Sequence, residues 1–212
     1  MPNSSKDRYC DYNIMTMTGR GQVEVVPDTV VIRLGVQTTG DNLEAAQSEN
    51  AQLSQAVLSA LNQMGIEDIK TYQYTIDKLY DYDNGKRIDR GYSVRNILEI
   101  KTDQIGLAGS IIDSAVQNGA NVVELISFEV SKSDIYYLQA LNLAVQNAYE
   151  KARSISLNFG IAMEPIPISI TENTMQPVPI SQNISLSRGA VATPIEPGNK
   201  QIVALVTVEF AF

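Results

Sequence analysis

The sequence predicts an α+β fold: a ferredoxin-like split βαβ (βαββαβ) core, extended by an N-terminal strand, a long third helix and a C-terminal β-pair. Three observations carry the prediction. Stretches of alternating apolar and polar residues are interleaved with stretches whose apolar residues recur at three and four. Between about residues 29 and 130 these stretches read strand, helix, strand, strand, helix, strand. An Asn84-Gly85 pair also stands between two long alternating runs, where it marks a tight hairpin. A chain of 212 residues with 44% apolar and 19% charged residues is of globular composition, and it is long enough to bury a core without a metal or disulfide staple.

Residues 1–13 read as a polar, disordered tail and 14–212 as one domain, with its core at about 29–130 and the long helix plus terminal strands at about 131–212. Ile14 to Val26 and Thr29 to Thr38 are strands separated by the turn-forming pair Pro27-Asp28. In the second, Val30, Ile32, Leu34 and Val36 share one face, which is therefore the buried one. Asp41 is placed to cap the first helix, with Glu44 completing a capping box, and Gly65 ends it. Leu43, Ala46, Leu53, Val57, Ala60 and Met64 form that helix's core face. Residues 69–101 make a long hairpin, with Tyr92, Val94, Leu98 and Ile100 on one face of its return strand. The second helix runs from a cap at Asp103 to Gly119 with Ile105, Ala108, Ile112 and Ala115 inward. Gly106 and Gly109 lower its propensity and imply close backbone packing. Val122 to Val130 is apolar on both faces and reads as an interior strand.

The third helix spans about Ser133 to Phe159, closed by Gly160. Leu138, Leu141, Val145, Ala148, Ala152, Ile155 and Phe159 step alternately by three and four, a seam of period 3.5. Ala140, Ala144, Ala148 and Ala152 form a second row at spacing four, small enough for a close neighbour. Two roles stay open: docking on the chain's own sheet, or meeting a second subunit through Leu138, Leu141, Val145, Ala148, Ala152 and Ile155 as an assembly surface. Pro165 and Pro167 place the next strand at an edge or a bend. A Pro-rich flexible arm follows at 173–200, and the chain closes in a strand, Gln201 to Phe212, with apolar residues on both faces.

The chemistry is limited by what is missing from the composition. Histidine is absent, and with it the commonest general base and metal ligand. Cys10 is the sole cysteine, so no intrachain disulfide can form; it is an incidental tail residue or a reactive thiol. With 16 basic against 24 acidic residues and a formal charge of -8, the chain lacks the clustered basic face that nucleic acid requires. No apolar run reaches the roughly 20 residues needed to span a bilayer, so no membrane insertion is expected. The first residues hold no apolar core of a secretory signal, so the chain as written is expected in the cytoplasm, unless a leader has been removed. Gly19-Arg20-Gly21 lacks the third glycine and the following helix of a phosphate loop, and a β-bulge or turn is expected there. Asp77, Asp81, Asp83 and Asp89 flank the hairpin tip as solvated charges or a weak hard-cation site. Tyr72, Tyr74 and Tyr92 form a candidate ligand face, or else pair across the hairpin. No catalytic, cofactor-binding or metal-binding residues are assigned, and no cofactor is expected.

Taken in order, Thr18-Gly19-Arg20-Gly21, Val25-Val26-Pro27-Asp28, Gly91-Tyr92-Ser93-Val94-Arg95-Asn96, Gly119-Ala120-Asn121 with Phe128, and Ala140-Leu141 through Ala144, Ala148 and Lys151-Ala152 resemble the SIMPL-domain family. That family includes bacterial periplasmic immunogenic proteins and an oxidative-stress-defence protein. The resemblance covers roughly Ile14 to Phe212. It implies a non-enzymatic protein linked to stress tolerance that forms large ring-like or channel-like homo-oligomers, and it supplies no catalytic residues. A self-assembling structural or interaction protein is therefore the leading expectation, with a small-ligand binder using the tyrosine-rich hairpin as the alternative.

Overall fold

The computed structural model describes residues 13–160, 164–173 and 195–212. The expected tail up to residue 12 and residues 174–194 of the expected arm lie outside the described residues. The elements are β1 (Ile14–Val25), β2 (Thr29–Gly40), α1 (Leu43–Gln63), β3 (Asp68–Asp83), β4 (Lys86–Thr102), α2 (Ala108–Gln117), β5 (Val122–Glu129), α3 (Ser133–Asn158), β6 (Ile166–Glu172) and β7 (Lys200–Ala211). The mixed α+β class is as the sequence predicts. The elements fall into two compact units, one of β2 to β5 with α1 and α2, the other of β1, α3, β6 and β7.

In the first unit the sheet order is β3-β4-β2-β5, and all neighbours are antiparallel. Val30, Ile32, Leu34 and Val36 of β2 and Leu98 and Ile100 of β4 pack against Val57 and Leu61 of α1 and Ile111, Ile112 and Ala115 of α2. Each of these valine, leucine and isoleucine side chains removed from water stabilises the unit by about 1.5–3 kcal/mol. Ile195 joins the same cluster. The interior strands β2 and β4 carry buried residues on both faces, Val30 and Val31 in β2 and Leu98 and Ile97 in β4; β5 lies at the edge, which corrects the interior reading of Val122 to Val130. Its Ile126 and Phe128 reach the core while Val123 stays exposed, so the apolar residues here mark one buried face, and Val123 is tolerated outside it.

Two helix starts differ from expectation. The cap of α1 is Asn42, one residue beyond Asp41, and its Oδ1 accepts from the Ala45 N–H at 2.9 Å. Before α2 the chain makes a 3-10 turn at Ile105–Leu107, and Asp103 contributes only its backbone carbonyl, which accepts from Ile105 N–H at 2.9 Å. Gly106 has open space where a Cβ would stand, so no close packing explains that glycine. The hairpin turn is as expected, with Asn84 and Gly85 both at positive φ.

In the second unit the order is β1-β7-β6, again antiparallel. The N-terminal strand therefore does not extend the four-stranded sheet; it pairs with the last strand of the chain. Ile202, Ala204, Val206, Val208 and Phe210 of β7 are buried at every second position, so of the two apolar faces expected one is the core and the other, with Val203 and Leu205, is only partly covered. At the edge, β6 carries a register shift between Pro167 and Ser169, in keeping with the edge or bend that Pro165 and Pro167 predict.

Candidate functional site

At 26 residues, α3 is about 39 Å long. Its buried residues are Ala140, Ala144, Ala148, Ala152 and Ser156, a strict spacing of four. A Cβ added at Gly19 would stand 1.9 Å from Ala144 O, and one at Gly21 would stand 1.9 Å from Ala140 O. The Gly19-Arg20-Gly21 stretch is thus a notch that lets the helix backbone lie on the strand backbone. No bulge interrupts the β1–β7 register there, contrary to expectation. The pairs Gly19 with Ala144 and Gly21 with Ala140 show that helix and strand run antiparallel. Four helical residues advance about 6 Å and two strand residues about 6.7 Å, so the two repeats stay in step along the contact.

That match selects the spacing-four row over the 3.5-residue seam. Of the expected assembly residues, Ala148 and Ala152 are buried against the sheet. Leu141, Val145 and Ile155 flank the ladder half-buried, while Leu138 (59% exposed) and Phe159 (79% exposed) turn outward. The six share one side of the helix but not one exposure, since Ala148 and Ala152 are covered by the chain's own sheet and only Leu138 stands mostly in water.

Polar side chains of α3 secure the rest of this unit. Asn147 Oδ1 accepts from Arg20 N–H at 3.3 Å, and the Lys151 ammonium donates to Thr18 O at 2.8 Å. Tyr149 donates to Glu164 at 2.7 Å and Tyr137 to Glu172, so two carboxylates beside β6 are held by tyrosines of the helix. The Glu164 carboxylate, as acceptor of that hydrogen bond, pushes the Tyr149 hydroxyl above its ordinary pKa. Beside the notch lies an open cleft of about 360 Å³ lined by Arg20, Gly21, Gln22, Leu143, Gln146, Asn147 and Glu150.

The hairpin tyrosines do not share a face. Tyr72 sits at a register shift between Thr71 and Gln73, and its ring lies 3.7 Å below the Arg33 guanidinium, on the sheet face away from the helices. Tyr74 pairs with Asn96, which is in turn opposite Val36, so it belongs to the helix face; Tyr92 shares the parity of the buried Val94. Rather than tyrosine pairs, the hairpin carries cations over rings: Arg87 over Tyr80 at 3.9 Å and Lys78 over Tyr92 at 5.6 Å. In the acidic group, Asp89 bonds Lys78 at 2.6 Å and Asp81 bonds Arg90 at 3.2 Å. The Lys78 ammonium holds the Asp89 carboxyl below its usual value, and Asp89 in turn raises Lys78.

Three polar side chains fasten the first unit; Asp28 and Asn121 stand in the turn and motifs named above, and Asn50 does not. Asn50 is buried in α1, and its amide donates to Val36 O and Val94 O, both at 3.0 Å. Asn121 exchanges two 2.8 Å hydrogen bonds with the backbone of Gln37. Asp28 accepts from Ser131 Oγ at 2.6 Å and Ser131 N–H at 2.7 Å, which lowers its pKa. For Asn50 the available signal was a polar residue within an apolar helix face.

The SIMPL family model, described as a protein of unknown function (DUF541), matches residues 15–210. The chain belongs to the SIMPL family. Within it, the chain is 26% identical over 151 residues to the uncharacterized protein YggE of Escherichia coli K12, covering 70% of this chain and 61% of that protein. It is 26% identical over 153 residues to YggE of Edwardsiella ictaluri, covering 70% and 64%. It is 25% identical over 173 residues to the 26 kDa periplasmic immunogenic protein of Brucella melitensis, covering 78% and 69%. The chain thus spans less than two thirds of the length of the YggE proteins it matches. The Brucella name overturns the cytoplasmic expectation, which rested only on the character of the first residues. No helix among the described residues is long and apolar enough to cross a membrane. The motifs that carry the family resemblance coincide with the fasteners above: the Gly19 and Gly21 notch, Asp28, Asn121 and Lys151.

Proposed function

We propose that this SIMPL chain is a non-enzymatic protein that works by self-assembly, outside the cytoplasm. The observation that carries the reading is the exposure of large apolar side chains on the α3 unit. Leu157 and Phe159 at the helix end and Ile166, Ile168 and Ile170 on the edge strand β6 all lie more than half in water. Exposed apolar groups concentrated on one unit favour contact with another protein surface, and a second copy is the partner always present. The absence of catalytic work is supported by where the motif residues act, since Gly19, Gly21, Asp28, Asn121 and Lys151 are engaged in backbone packing and backbone hydrogen bonds.

Light scattering on the purified chain at micromolar concentration tests the assembly, and a strict monomer, with or without residues 175–198, would sink it. The exported location follows the Brucella relative's name. Osmotic-shock fractionation of cells carrying the natural gene checks it, and recovery wholly with a cytoplasmic marker would refute it. The stress-tolerance link that the resemblance implies belongs to the same proposal, and unchanged peroxide survival of a deletion strain would remove it.

A further inference from the structure

Among the described strands, β1 pairs with β7 alone and so has a free edge. In an antiparallel ladder, alternate residues turn their N–H and C=O outward. The hydrogen bond from Phe212 N–H to Asn13 O directs the odd-numbered residues of β1 towards β7. Thr18, Arg20 and Gln22 therefore face outward. α3 reaches two of these three. The Asn147 side-chain oxygen stands where a neighbouring strand would present a carbonyl to Arg20 N–H, and the Lys151 ammonium stands where that strand would present an N–H to Thr18 O. The repeat match described above places residues 151, 147 and 143 beside 18, 20 and 22. Leu143, at the third position, offers neither donor nor acceptor, and the cleft opens there.

We infer that Asn147 and Lys151 are edge guards, which keep the free edge of β1 from accepting the β1 strand of a second copy while α3 is seated on the glycine notch. Unpaired edges template such pairing unless something covers or blunts them. The strand itself would not oppose it. An antiparallel register setting Arg20 against Gln22 and Thr18 against Glu24 of the second copy puts no like charges opposite each other. This inference does not rest on the proposed assembly, which would use the exposed apolar groups of α3 and β6.

The wild-type chain provides the first test. By amide hydrogen exchange, Arg20 is expected to exchange about tenfold or more slowly than the equally outward but unguarded Gln22; equal rates overturn the inference. The second test is the Asn147→Ala/Lys151→Ala double variant with reductant present, so that Cys10 cannot cross-link. Its scattering mass should rise above that of wild type between micromolar and millimolar concentration. Adding Gln22→Pro, which deletes an outward N–H, should return it to the wild-type value. A double variant that folds and keeps the wild-type mass overturns the inference, as does association that survives Gln22→Pro. Should the double variant not fold, the exchange comparison in wild type decides.

Discussion

Replacing Gly19 by Ala adds a single methyl group, and its effect can be worked from the helix–strand contact. The new Cβ would lie 1.9 Å from Ala144 O and 3.0 Å from the Ala148 Cβ. The obstacle is backbone, not the end of a flexible side chain, so α3 must retreat by about 1 Å or tilt. A gap of that size removes roughly a quarter to a half of the dispersion energy along the fully buried alanine ladder. Overpacking of this kind in a close-packed contact costs about 1–3 kcal/mol, and the lost ladder contacts put the expectation at about 3 kcal/mol. In a chain of this size that is a fall in Tm of about 6–12 °C. Circular dichroism melts of Gly19→Ala and wild type measure it, with Gly40→Ala as the control, because a Cβ at Gly40 meets Ala46 at an ordinary 3.6 Å. A Gly19→Ala protein that melts with the control would refute the reasoning, since the helix–sheet spacing would then not be set by this notch.

Asn50→Ala should lower stability by about 2–3 kcal/mol, because it withdraws the donor from two carbonyls in the core, and a urea midpoint at unchanged m-value reads the loss. Asp28 predicts an acid limb. Its folded pKa is depressed, first by the Ser131 hydroxyl and then by the Ser131 amide, so its contribution is present above the ordinary carboxylate pKa of about 3.9 and is lost as pH falls through the depressed value. Melts between neutral pH and pH 2 should therefore show a shallower acid decline for Asp28→Asn than for wild type. Equal slopes would mean that Ser131 does not hold the carboxylate in solution.

Much of the secondary structure was legible from local signals. The Asn84-Gly85 turn, the alternation of Val30 to Val36 and the stop at Gly160 each depend on the conformational range or burial of residues close in sequence, and such signals need no partner to be read. Boundaries shifted where two residues competed for one role, as Asp41 and Asn42 did for the first cap. The edge position of β5 was not legible, since a run of apolar residues looks the same beside one strand as between two. The same limit hid the second sheet: nothing near Ile14 announces that its partner is Ala211.

The candidate surface shows the division most clearly. From α3 alone the 3.5-residue seam and the spacing-four alanine row were equally visible, and so were the two glycines of β1. Which row docks depends on the partner, since a strand advancing in two-residue steps keeps pace with four-residue helical steps and not with the seam. By itself, then, the sequence determined which segments become helix and strand, the family, and the lack of histidine and of a second thiol, because these follow from residue identity and near neighbours. Only the tertiary structure decided which glycine meets which alanine, which tyrosines part company across a bulge and which strand edge α3 covers, because those are properties of pairs far apart in the chain that meet only once it folds.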